Sequence, residues 1–114
     1  MRSFFGASQR ERASGQRQAT AELGSILAAH PDLPCIAWTV APAGPVLAGH
    51  VNGLAPADQV RQVFGRWRAA LGLTEDPRPQ TDHATEFLHA CARRNQVTVR
   101  LTAAVFDQPP LVGL

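Results

Sequence analysis

Apolar residues recur along this chain in two rhythms. Between Ser14, a candidate N-cap, and His30 the positions Ala19, Leu23, Ile26, Leu27 and His30 fall at the i, i+4, i+7, i+8, i+11 spacing of one helical face. Pro31 ends that helix, because the residue before a proline is pushed out of the α region. The period then drops to two. In Cys35–Val40, Ile36, Trp38 and Val40 share one face and Cys35, Ala37 and Thr39 the other. The Ala41-Pro42-Ala43-Gly44 turn leads into a second strand, Val46–Asn52, with Val46, Ala48 and His50 opposite Leu47, Gly49 and Val51. Gly49 there marks a bulge or a close packing contact. Helical spacing returns at Pro56, where Val60, Val63, Phe64, Trp67 and Leu71 form a stripe that Gly72 closes.

Glu75–Gln80 holds two prolines and reads as a loop. Thr81–Asn95 fits two patterns. As a helix it stacks Ala84, Phe87, Leu88 and Cys91. As a strand it sets Phe87, His89 and Cys91 against Leu88, Ala90 and Ala92. Val97–Phe106 alternates plainly, and Arg93-Arg94-Asn95-Gln96 suits a hairpin turn, with Asn tolerating left-handed backbone. The hairpin reading is preferred. It predicts an α+β two-layer sandwich in the order α-β-β-α-β-β, a four-stranded antiparallel sheet with two helices on one face. Residues 1–14 are expected to be a basic flexible arm or helix lead-in, 15–108 the single domain, and 109–114 a C-terminal tail.

The 114 residues fit one domain, and 45% hydrophobic with 18% charged residues excludes general disorder. No apolar run nears the ~20 residues of a membrane span, and no apolar stretch follows the N-terminal Arg2 as a secretory signal requires. A cytoplasmic location is therefore expected, with Cys35 and Cys91 as buried free thiols. All 11 basic residues are Arg, and the net charge is +2. Residues 1–18 carry Arg2, Arg10, Arg12 and Arg17 against Glu11 alone, so the basic excess belongs to the N-terminus.

Leu33–Asn52, Gly53–Leu71 and Arg94–Phe106, the last with its R-x-x-V-x-V entry into the final strand, resemble small uncharacterised proteins common in actinobacterial genomes. The resemblance spans about residues 19–107. It implies the α+β fold and the second hairpin, and it carries no activity, substrate or catalytic residue.

Candidate chemistry is sparse. His50, His83, His89 and Cys91 are the residues from which a tetrahedral zinc site would be drawn, but they lack the tight two-ligand knuckle of structural sites. The thiols lie in apolar alternation without an adjacent base, no G-x-S-x-G or phosphate loop occurs, and Glu75-Asp76 are neighbouring loop acids. No enzyme and no cofactor is expected. Arg10, Arg12 and Arg17 of the arm, with Arg61, Arg66 and Arg68 of the second helix, are candidates for phosphate contacts in a nucleic-acid-binding accessory protein. The first reading is a non-catalytic interaction module. Two helices cover one sheet face, apolar side chains remain on the other, and a homodimer or another protein partner would bury them. A small-ligand pocket near His50 and Trp38 is the third reading.

Overall fold

A sheet whose strands follow the order β1-β2-β6-β5-β3, with β4 also on β5, carries both helices on one side in the computed structural model, which describes residues 4–42, 44–76, 80–82 and 85–106. The elements are α1 (Phe4–Ala29), β1 (Ala37–Val40), β2 (Val46–Val51), α2 (Ala57–Leu71), β3 (Thr74–Glu75), β4 (Gln80–Asp82), β5 (Thr85–Arg94) and β6 (Val97–Phe106). The α+β class holds. The all-antiparallel sheet does not: β2 and β6, two of its three inner strands, run parallel from Val46↔Thr98 to Val51↔Ala103.

The reason is parity. β3 and β4 both pair antiparallel with β5, at Thr74↔Cys91 and at Gln80↔Phe87, so together they make one interrupted edge strand. The proline-containing stretch between them hid that extra pass. A helix returns the chain toward the end where β2 began, so the next strand runs in the direction of β2. That strand is the β3/β4 edge; β5 reverses, and β6 reverses again into the direction of β2. Without the edge strand, β6 would have met β2 antiparallel. The β5–β6 hairpin itself is as expected, closed between Arg94 and Val97 by Asn95 and Gln96, both at positive φ (51° and 69°). Two left-handed central residues are the signature of a type I′ turn, whose twist matches that of the strands.

α1 begins at Phe4, well ahead of Ser14, and is continuous through the segment read as an arm. Its buried line is Gly15, Ala19, Glu22 and Ile26, while Leu27, placed on the core stripe by spacing, is 48% exposed. Gly15 explains the shift of face. A Cβ there would stand 2.5 Å from the Gly44 carbonyl carbon and 2.7 Å from the Pro45 nitrogen, so the helix backbone rests directly on the β1–β2 turn. α2 buries Val60, Phe64, Trp67 and Leu71 and ends on left-handed Gly72, whose N–H bonds the Ala69 carbonyl.

One core joins the layers: Ala19 and Ile26 from α1, the α2 stripe, Leu47 and Val51 from β2, Leu88 and Ala90 from β5, and Val97, Val99, Leu101, Ala103 and Val105 from β6. Trp67 is its largest fully buried side chain. Its Nε1 donates to the Pro34 carbonyl at 2.8 Å, and its ring meets Trp38 edge-on at 5.5 Å. Trp38 in turn lies over Gly49, its cross-strand partner, where an added Cβ would come within 2.8 Å of the indole. Gly49 is thus a close packing contact.

Candidate functional site

Strand alternation divides the sheet into a covered and an uncovered side. On the covered side stand Trp38 and Val40, Leu47 and Val51, Leu88, Ala90 and Ala92, and the odd-numbered apolar residues of β6, all buried or half-buried. The other side presents Ala37 and Thr39 of β1, Val46, Ala48 and His50 of β2, Thr98, Arg100, Thr102, Ala104 and Phe106 of β6, and Thr85, Phe87, His89, Cys91 and Arg93 of β5. None of these is buried. Of the two face assignments open for β5, the Phe87–His89–Cys91 set is the outward one.

Pairing registers arrange these side chains in rows across the strands. Phe106 is opposite Thr85 and Phe87 opposite Ala104, so the two phenyl rings are diagonal neighbours on adjacent strands, 50% and 42% exposed. The next row runs Ala37, His50, Thr102, His89, with His50 Nδ1 and Thr102 Oγ1 3.0 Å apart. Then come Thr39, Ala48, Arg100 and Cys91, and finally Val46, Thr98 and Arg93. Among the described residues on this side of β1, β2, β5 and β6 there are two arginines, two histidines, two phenylalanines and no carboxylate. Asp76 stands at the β3 edge, where its N–H bonds the His89 carbonyl.

The carboxylates lie mainly with the helices. Glu86 binds Arg61 at 3.0 Å and Asp58 approaches the same guanidinium at 3.9 Å; Glu75 is 3.8 Å from Arg68; Glu22 takes Arg94 at 3.1 Å. Arg66 reaches the Asp32 carbonyl at 3.5 Å. The three α2 arginines read as phosphate contacts are therefore engaged within the fold. Arg10, Arg12 and Arg17 are exposed on α1, where Arg10 and Arg17 share a face that Arg12 does not.

The structure places His50, His89 and Cys91 together on the uncovered face, while His83 lies outside the described residues. Among the described residues no three His, Cys, Asp or Glu side chains are grouped to hold a metal ion. Cys35 and Cys91 are free thiols, exposed and not buried as their alternation suggested: Cys91 stands on the face of β5 away from the helices, and Cys35 precedes β1, which begins at Ala37 and not at Cys35. Trp38, paired with Gly49, stands on the covered side and His50, paired with Ala37, on the other, so the two side chains do not line one common pocket. An open depression of about 590 Å³ runs along α1, lined by Ala13, Gln16, Arg17, Thr20 and Ala21, without converging polar groups.

Sequence reasoning passed over Phe106, Arg93 and Arg100 as site residues. The alternation of β6 already put Arg100 and Phe106 on one face, but with β5 unsettled nothing joined them to Phe87. The fold and this face define a two-layer α+β protein with one bare sheet surface. No family model, curated protein or solved structure matches the chain. Among the described residues no helix is long and apolar enough to cross a membrane.

Proposed function

We propose that this chain is a small, non-catalytic binding module that works through the uncovered face of its sheet. One observation carries the reading: both helices pack on the same side, so the outward side chains of the long strands, Phe87 and Phe106 among them, meet solvent instead of a second layer. Aromatic surface held open on a rigid sheet marks a contact surface. The exposed free thiols on and beside it fit a reducing compartment such as the cytoplasm.

A second copy would bury the two phenyl rings and Ala104 in a homodimer. In a docking that opposes like rows it would also set His50, His89, Arg93 and Arg100 of one copy near the same residues of the other. A partner of opposite charge meets no such conflict.

The test compares two surfaces. Ala37→Glu with Phe106→Ser alters the uncovered face; Arg61, Arg66 and Arg68 all changed to Gln alter α2. Sedimentation at ~100 µM and retention on nucleic acid at ~50 mM salt are measured for each. The open-face variant is expected to lose whichever association the wild type shows, and the α2 variant to keep it. The reverse pattern would move the working surface to α2 and end this reading. So would a wild type that neither self-associates nor is retained.

A further inference from the structure

We infer that the occupant of the uncovered face is single-stranded nucleic acid, an inference that rests on that face being the working surface. The argument begins with the phenyl rings. Phe87 and Phe106 sit diagonally on the neighbouring strands β5 and β6, held on a rigid sheet and open to solvent. Flat aromatic side chains on such a surface are platforms on which unpaired bases stack, with little preference among bases because every base has a π-face. A duplex, whose bases are already stacked on each other, would have to unstack to use them.

The remaining rows supply what a backbone needs. Beyond the phenylalanines lie His50, Thr102 and His89, then Arg100, then Arg93 beside Thr98. From the Phe106 row to the Arg93 row is about 27 Å at ~3.4 Å per residue, room for a track of about four nucleotides. Donors and cations of β2, β6 and β5 line that track; at the sheet edge Asp82 of β4 is paired with Thr85 in the Phe106 row, and Asp76 bonds the His89 carbonyl through its N–H, so both acids flank the track without interrupting the Arg100 and Arg93 rows. Charge sorting by the fold creates this. Residues 19–114 carry seven arginines against eight acids, yet Glu22, Glu75 and Glu86 are paired with arginines on the helix side while Arg93 and Arg100 face outward.

Fluorescence anisotropy of a labelled oligothymidine of about 12 nucleotides, titrated with the full chain, tests the inference. Wild-type protein is expected to bind it at least about tenfold more tightly than a duplex of equal length. Phe87→Ala and Phe106→Ala should each weaken binding about tenfold or more, and Phe106→Trp should restore it, since Trp still stacks. Both rings are about half exposed, and thermal melts of the variants verify that the fold persists. Arg100→Gln should reduce the slope of log K against log salt by about 0.7, the value of one phosphate contact on a single strand. Equal binding of duplex, or alanine variants that bind like wild type, would overturn the inference. A wild type that ignores the oligomer but sediments as a dimer that Phe106→Ser dissociates would also overturn it, naming a second copy as the occupant and leaving the open-face reading intact.

Discussion

Arg94 Nε donates to Glu22 Oε2 at 3.1 Å, tying the last residue of β5 to the C-terminal third of α1. The same carboxylate accepts Asn95 Nδ2 at 2.9 Å on its other oxygen, and Arg94 Nη1 reaches the Leu71 carbonyl at the end of α2 at 3.1 Å. Glu22 has a side chain only 4% exposed, while Arg94 keeps 34%. One polar knot thus joins both helices to the β5–β6 turn. Glu22→Ala should cost about 2–4 kcal/mol in urea denaturation, less than a fully buried pair because Arg94 can rehydrate. A loss under about 0.5 kcal/mol would show that the knot does not hold the layers together.

The two tryptophans should respond oppositely to the same change. Trp67 Nε1 is bonded to the Pro34 carbonyl, whereas Trp38 Nε1 is buried with no hydrogen-bond partner among the described residues. Trp67→Phe should cost about 1–3 kcal/mol and Trp67→Ala about 3–5. Trp38→Phe removes an unpaired buried donor and some contact area, effects that offset, so its midpoint should stay close to wild type. Equal losses for the two Phe variants would contradict the hydrogen-bond argument.

Two glycines of α1 allow a matched comparison. A Cβ on Gly15 would meet the Gly44 and Pro45 backbone, but nothing lies within 4 Å of one on Gly24. Gly24→Ala should stabilise by about 0.5–1 kcal/mol through helix propensity alone. Gly15→Ala gains the same propensity but forces helix and turn apart, for a net loss of about 1–2 kcal/mol. Thermal melts of both variants read the difference in sign.

Ala90 and Ala37 test the two sides of the sheet. Ala90 is fully buried beneath the helices and Ala37 is on the open face. Ala90→Glu should unfold the domain by burying an unpaired charge, whereas Ala37→Arg should leave the far-ultraviolet circular dichroism and the melt nearly unchanged. A folded Ala90→Glu protein would reverse the face assignment of β5.

Local pattern alone determined much of this protein. The α2 stripe of Val60, Phe64, Trp67 and Leu71, the Gly72 stop, the β1–β2 hairpin and the alternation of β6 all depend on neighbours within a turn or a strand, and spacing reports them directly. The outward display of Phe106 and Arg100 was legible there too. What tertiary structure alone decided involved residues far apart in the chain. The short edge strands β3 and β4 have almost no period of their own and exist because β5 offers them an edge; they set the parity that makes β2 and β6 parallel. The choice between the two faces of β5 depended on which side the helices occupy, since both its sets are partly apolar. Leu27 and Glu22 exchanged places for the same reason. Hydrophobic spacing expected Leu27 inside, but Gly15 resting on the Gly44–Pro45 turn rotates α1 so that Glu22 faces the core, where Arg94 and Asn95, more than seventy positions away, make its burial tolerable.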